Sequence, residues 1–204
     1  MKLIKKCAKT DYIKEIIMYK IVDFSHKLMT DHLNSLNKPF INVVDATCGM
    51  GNDTLFLAQL LQKRGHVDTY DIQPIAIETT KEKAATAKLT NITFHLQSHE
   101  LIDQKNIDLV IYNLGYLPTQ DKTITTLVTS TMQSITKMIH LLSISKDMLL
   151  IVVVYPGHLE GKKESIQLDN YFHSLSNKQF LVSRYENVNR LNAPYLYSVC
   201  MEKR

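Results

Sequence analysis

A chain of 204 residues is long enough to bury a sizeable core, and its 45% hydrophobic and 22% charged residues suit a globular domain rather than a disordered tract. A formal net charge of +4 is compatible with a polyanionic partner without demanding one. Three cysteines without metal-type pairing argue against a disulfide framework or a zinc site and for a reducing, cytoplasmic setting, and no apolar run approaches the ~20 residues of a membrane span.

The opening "MKLIKKCAKTDYIKEIIMYKIV" has acids and lysines interrupting its apolar part and reads as soluble sequence, not a signal peptide. A helix is expected over 12–35, then a strand at "INVVDA" (41–46) and a helix over 52–64 that Gly65 would stop. Further strands are expected at 66–72, 92–97, 107–114, 147–155, 180–188 and 195–203, with helices over 74–88, 129–143 and 160–175. The alternation predicts an α/β fold: a mostly parallel sheet with helices on both faces. The last two strands lack an intervening helix and should form an antiparallel edge pair joined through "NRLNAP". The whole chain, 1–204, reads as a single domain, with 1–21 an N-terminal extension of unassigned role.

The loop "ATCGMG" follows a strand and opens a helix, the place where open α/β sheets bind ligands. Gly49 and Gly51 would let the backbone pass close under a ligand, and Asn52 or Asp53 can cap the helix. Asp71 ends the next strand, twenty residues after Gly51, where a carboxylate can accept from both hydroxyls of a ribose. Glycine loop and acid together point to a nucleoside, against the alternative of a tight turn with a surface aspartate. The dinucleotide pattern G-x-G-x-x-G is absent, since Thr54 takes the third place, and Asp45 makes the mouth acidic. A pyrophosphate would fit badly there. S-adenosylmethionine, with an ammonium and a sulfonium, suits it better, and an NAD-dependent oxidoreductase or a non-catalytic RNA- or partner-binding module are the rivals from other classes. Cys48 has no paired histidine in sequence and reads as an inert loop residue. A second stretch, "DLVIYNLGYLP" (108–118), runs an apolar strand into Asn113, Gly115 and Tyr116; the alternative there is a plain turn with a half-buried aromatic.

"VVDATCGMG" resembles motif I of class I methyltransferases, with Thr47 where many members have their first glycine. "NLGY" resembles, without matching, the N-P-P-Y of methyltransferases that act on amino groups. In order along 22–204, "DATCGMGNDTLFLA", "YDIQ", "NLGYLPTQDKTITT", "STMQSI", "YPGH" and "NRLNAP" resemble the bacterial family formerly labelled rRNA methylases and associated with tRNA wobble-uridine modification. The resemblance implies a Rossmann-like class I methyltransferase sheet, S-adenosylmethionine as cofactor, and N-methylation of 5-aminomethyl-2-thiouridine to 5-methylaminomethyl-2-thiouridine. It also implies the tRNA anticodon region as partner, with no metal and no membrane; a homodimer stays open. Methylation of rRNA or of a small amine is the alternative within the class.

Carried over by position, the resemblance gives Asp45, Thr47, Gly49, Gly51, Asn52, Asp53 and Thr54 to the methionine end of the cofactor, Asp71 to the ribose, and Gln73 to the sugar or adenine edge. Ser98 and His99 fall where adenine contacts arise. Asn113, also bordering the cofactor, would floor the methyl-transfer site with Gly115 and Tyr116. Asp121, Lys122, Thr129 and Thr131 would gate the site or touch substrate. Gly157 and His158 end the strongest strand, and Asn189, Arg190 and Asn192 would reach the same rim. A protonated amine must lose a proton before it can attack, so Tyr116, Asp121 and His158 are the candidate bases. Lys122, Lys137, Lys162, Lys163, Arg184 and Arg190 are the cations available for phosphates.

Overall fold

The computed structural model describes residues 19–115, 128–145 and 147–202. In chain order these form α1 (Ile21–Ser35), β1 (Ile41–Asp45), α2 (Asn52–Leu61), β2 (Gly65–Asp71), α3 (Pro74–Thr86), β3 (Ile92–Leu96), β4 (Leu109–Asn113), α4 (Val128–Ile144), β5 (Leu149–Val154), α5 (Leu159–Ser174), β6 (Phe180–Glu186) and β7 (Tyr195–Met201). Every strand and helix expected from the apolar periodicity is present, most with ends moved by a residue or two. The exceptions are the first helix, expected over 12–35, which begins at Ile21 after an extended Lys20, and the end of α2, where three residues of tighter helix (Gln62–Arg64) replace the last turn.

The strands form one sheet in the order β3-β2-β1-β4-β5-β7-β6, with β1 to β5 parallel and β7 antiparallel to both β5 and β6. Strand alternation explains why helices cover both faces. Leu109, Ile111, Ile151 and Val153 pack with Met29 and Leu33 of α1 and Leu57 and Leu61 of α2. Val110, Tyr112, Val152 and Val154 point the other way, onto Ile135 and Leu142 of α4 and Leu168 and Phe172 of α5. All six residues of β5 are buried, as expected of a parallel strand covered on both sides. Full burial of one such aliphatic side chain stabilises by about 1.5–3 kcal/mol, so these two layers hold the sheet ends in place.

Strand order reverses between β1 and β4, and a crevice for ligands opens beyond the carboxyl ends of strands at such a point. The β1–α2 loop and Asn113, at the end of β4, lie on its two sides. The β6–β7 hairpin adds a third wall. Because β7 runs opposite to β5, Tyr195 pairs with Val154 and with Glu186, which brings the turn over 187–194 to the same carboxyl edge.

Gly65 has a different role from the one expected. It is the first residue of β2 with extended backbone, and a Cβ there would lie 2.3 Å from the Ile41 carbonyl oxygen of β1. The left-handed residue that ends α2 is Gln62, φ 48°.

Candidate active site

The β1–α2 loop is shaped by backbone rather than by side-chain caps. Gly49 (φ 52°) and Gly51 (φ 79°) are both left-handed, and at Gly51 a Cβ would lie 2.5 Å from Thr80 of α3. Gly51 is itself the cap residue of α2, so neither Asn52 nor Asp53 caps the helix. Asn52 is exposed at the mouth. Asp53 instead turns inward, with one oxygen 2.7 Å from His26 Nε2 of α1 and the other accepting from Asn113 Nδ2 at 3.0 Å. Asn113 also donates its backbone N–H to Thr47 Oγ1 (2.7 Å) and is hydrogen-bonded to the Tyr155 hydroxyl. The glycine loop and the β4 end are therefore joined by side chains.

Asp45 and Thr54, expected at the cofactor's methionine end, lie beneath the glycine loop. Both are fully buried, and Thr54 Oγ1 donates to Asp45 Oδ2 at 2.5 Å while Thr47 N–H donates to Oδ1 at 3.1 Å. Thr54 also shares a hydrogen bond with Thr69 Oγ1 (2.8 Å). Burial, with the charges of Asp53 and Asp71 adding, holds the Asp45 carboxyl up at about 7. Asp71 accepts from the Gly49 N–H through Oδ2 and the Gln73 N–H through Oδ1, each at 2.9 Å, and burial raises its carboxyl as well. A carboxylate offers about four lone-pair sites, so capacity for two hydroxyls remains. Gln73 precedes Pro74 at the start of α3, and the neighbouring Ile72 is 55% exposed, an apolar side chain beside the acid.

Ser98 heads a short turn of tight helix, accepting from the Glu100 N–H at 3.5 Å. His99 lies beneath it, buried, edge-on to Tyr112, with Nδ1 lacking a partner among the described residues; burial lowers its imidazole to about 4. Cys48 is likewise buried, its thiol pushed up to about 11, which suits an inert residue.

Gly115 is partly exposed after β4, and a Cβ there would lie 3.7 Å from the Tyr155 ring. Tyr116, Asp121 and Lys122 lie outside the described residues. Thr129 is exposed at the start of α4. Thr131, expected to touch substrate, is fully buried and donates to Glu164 Oε1 of α5 at 2.7 Å. His158 is the cap of α5, Nδ1 accepting from the Gly161 N–H at 3.1 Å. As a base it would have to give up that bond. Asn189, Arg190 and Asn192 are exposed in the β6–β7 turn, Asn192 left-handed at φ 56°. The Asn192 carbonyl oxygen lies 3.7 Å from where a Gly157 Cβ would be, so this turn does meet the β5–α5 loop.

Three of the cations have other partners. Lys137 Nζ donates to the Ile102 carbonyl, Lys163 pairs with Glu160, and Arg184 pairs with Asp169 and Glu186 while lying 3.9 Å over the Tyr195 ring. Sequence reasoning missed His26 and Tyr155. Each is an isolated residue whose relevance depends on which helix or strand crosses the loop, and local pattern does not carry that.

Residues 67–201 match the family described as "Putative rRNA methylase". The chain is 32% identical over 177 residues to the "tRNA (mnm(5)s(2)U34)-methyltransferase, chloroplastic" of Arabidopsis thaliana. That match covers 79% of this chain and 63% of the relative, so the chain spans less than two thirds of that protein's length. A crystal structure of a "putative rRNA-methylase" from Clostridium thermocellum superposes with a TM-score of 0.82 at 32% identity, covering 91% of this chain and 100% of the other. A "putative methyltransferase" from Streptococcus mutans, solved in complex with SAH, superposes at 0.76 with 26% identity and the same coverage.

Proposed function

Because the chain belongs to the family described as "Putative rRNA methylase", we propose that it is an S-adenosylmethionine-dependent methyltransferase acting on tRNA. Its acceptor in this reading is the amino group of 5-aminomethyl-2-thiouridine at the wobble position, as the name of the Arabidopsis relative suggests. The observation that carries it is the anchored Asn113: an amide at a strand-order reversal, facing a two-glycine loop and pinned from behind by Asp53.

The residues present fit the cofactor. Burial first, with the charges of Asp53 and Asp71 adding, raises the Asp45 carboxyl to about 7, and a ligand bearing an ammonium and a sulfonium above these three acids would favour its charged form. The Asp71 carboxylate keeps acceptor capacity for ribose hydroxyls, and Ile72 offers an apolar surface to a base. The Nδ1 of His99, without a partner among the described residues, is a buried polar atom that a ligand in this quarter could satisfy. Bound here, the cofactor supplies a methyl group already activated as an electrophile on sulfur.

The chain then has to orient an amine. With its NH2 committed to Asp53, Asn113 presents its carbonyl oxygen to accept from the amine N–H, which aims the nitrogen lone pair. The N–C bond forms as the C–S bond breaks with its electron pair passing to sulfur, and the resulting ammonium gives its proton to a base or to water. Alignment of this kind can supply on the order of 7–11 kcal/mol. Asp121, or His158 once its cap bond is released, serves the earlier deprotonation of the amine.

Mass spectrometry of tRNA nucleosides from a deletion strain tests the substrate. Accumulation of 5-aminomethyl-2-thiouridine with loss of its N-methyl form is expected. An unchanged tRNA profile with a missing methyl group in rRNA would move the assignment to rRNA. Calorimetric titration with S-adenosylhomocysteine and with NADH tests the class, and binding of the first alone is expected.

A further inference from the structure

His26 stands outside every motif, yet it touches the residue that anchors Asn113. Its Nε2 lies 2.7 Å from Asp53 Oδ1, and since an ionised carboxylate only accepts, Nε2 carries the proton. The ring is stacked on Phe56 of α2, centroids 3.9 Å apart and planes within 7°, which fixes the direction of that donor. Asp53 is 5% exposed and its second oxygen holds Asn113 Nδ2 at 3.0 Å. One carboxylate thus spans a helix-borne donor and the amide at the end of β4.

We propose that His26 is a positioning residue for methyl transfer: it locks the Asp53 carboxylate so that Asp53 in turn fixes which way the Asn113 amide faces. This rests on the reading that Asn113 orients the accepting amine. Without the His26 donor, the Asp53 carboxylate can turn about its last bond, and the Tyr155 hydroxyl, which can donate or accept, does not by itself hold the Asn113 amide to one orientation. An amide turned over would present NH2 to the amine nitrogen, occupying the lone pair that must attack. The effect falls on turnover, because the Asp71 and glycine-loop contacts on the other side of the crevice are untouched. Exposure of a quarter of the His26 side chain, in a helix that keeps its core contacts through Met29 and Leu33, makes substitution tolerable to the fold.

Two substitutions separate the donor from the ring. His26→Phe keeps the stack on Phe56 and removes the donor; His26→Gln keeps a donor with comparable reach and removes the ring. We expect His26→Phe to lower kcat by about tenfold to a hundredfold, as for loss of a hydrogen bond to a charged group. The KM for S-adenosylmethionine should stay within about twofold, and His26→Gln should restore kcat to within about threefold of the parent. Loss confined to KM, equal loss in both variants, or no loss in His26→Phe overturns the proposal. If His26→Phe does not fold, His26→Gln decides: parental kcat supports the donor role and a tenfold loss rejects it. The 15N side-chain resonance of Asn113, identified by its disappearance in Asn113→Asp, gives a readout free of substrate. It should shift in His26→Phe and hold in His26→Gln. An unmoved resonance in His26→Phe rejects the proposal whatever the activity, whereas a parent protein that methylates no tRNA while the resonance behaves as expected sinks the tRNA reading alone.

Discussion

Replacing Gly51 by alanine would place a methyl group 2.5 Å from two side-chain atoms of Thr80 at a left-handed φ of 79°. Strain of this kind is worth about 1–3 kcal/mol, and we expect Gly51→Ala to lower the melting temperature and to weaken S-adenosylhomocysteine binding in calorimetry; Gly51→Ala with Thr80→Ala should recover part of the stability and less of the binding. Asp45 gives a pH prediction whose sign follows from its raised carboxyl. Its folded value of about 7 lies above an unfolded value of about 3.9, so the ligand-free protein should lose stability as pH climbs through that interval. A cation above the loop favours the carboxylate, so cofactor affinity should tighten over the same rise and binding should release a proton. Calorimetry in buffers of different ionisation enthalpy measures that release, and Asp45→Asn should abolish it. At this scale the sequence was informative where a backbone conformation demands a residue type, as at Gly49 and Gly51. It was silent on direction: nothing in "NDT" tells that Asp53 faces Asn113 or that Thr54 is sealed behind Asp45.

Helices and strands tell a second story, in which termini carry the chemistry. The cap of α5 is the His158 imidazole, and loss of such a cap costs about 0.5–2 kcal/mol. His158→Ala should therefore lower stability by that order, and a turnover loss larger than Asp121→Ala produces would assign the base to His158 despite its cap. The β1–β2 pairing makes a related demand. Gly65 faces Ile41 so closely that Gly65→Ala must part the two strands at their first register, which we expect to destabilise by about 1–3 kcal/mol in chemical denaturation. Strand and helix positions were legible because burial imposes periods of two and of 3.6 on the apolar residues, most plainly in "LLIVVV" of β5. The end of α2 was misread because a glycine after a helix resembles a stop signal, while here close strand contact, not a left-handed turn, requires it.

For the molecule as a whole, two apolar layers lie back to back across one sheet, and neither can be thinned without affecting the other. Ile151→Ala, in a strand buried on both faces, should cost about 2–5 kcal/mol and broaden the unfolding transition little, since both layers share the same strands. The order of strands could be anticipated in class but not in detail. Alternating elements announce a parallel sheet, whereas the reversal between β1 and β4, which opens the crevice, is a long-range choice that no local pattern records. His26 belongs to the same category: α1 reaches the loop only because it packs over β5 and α2, far from anything its own sequence advertises.

The reversed strand β7 carries a consequence for how such a molecule can diversify. By folding back along β5 it delivers the 187–194 connection to the mouth of the crevice from a border of the sheet that the glycine loop never touches. Lengthening or rewriting that connection leaves every strand in register and every acid beneath the loop in place. Under the proposed function, choice of recipient could thus drift while the half assigned to the donor stays fixed, giving one scaffold two independently tunable halves.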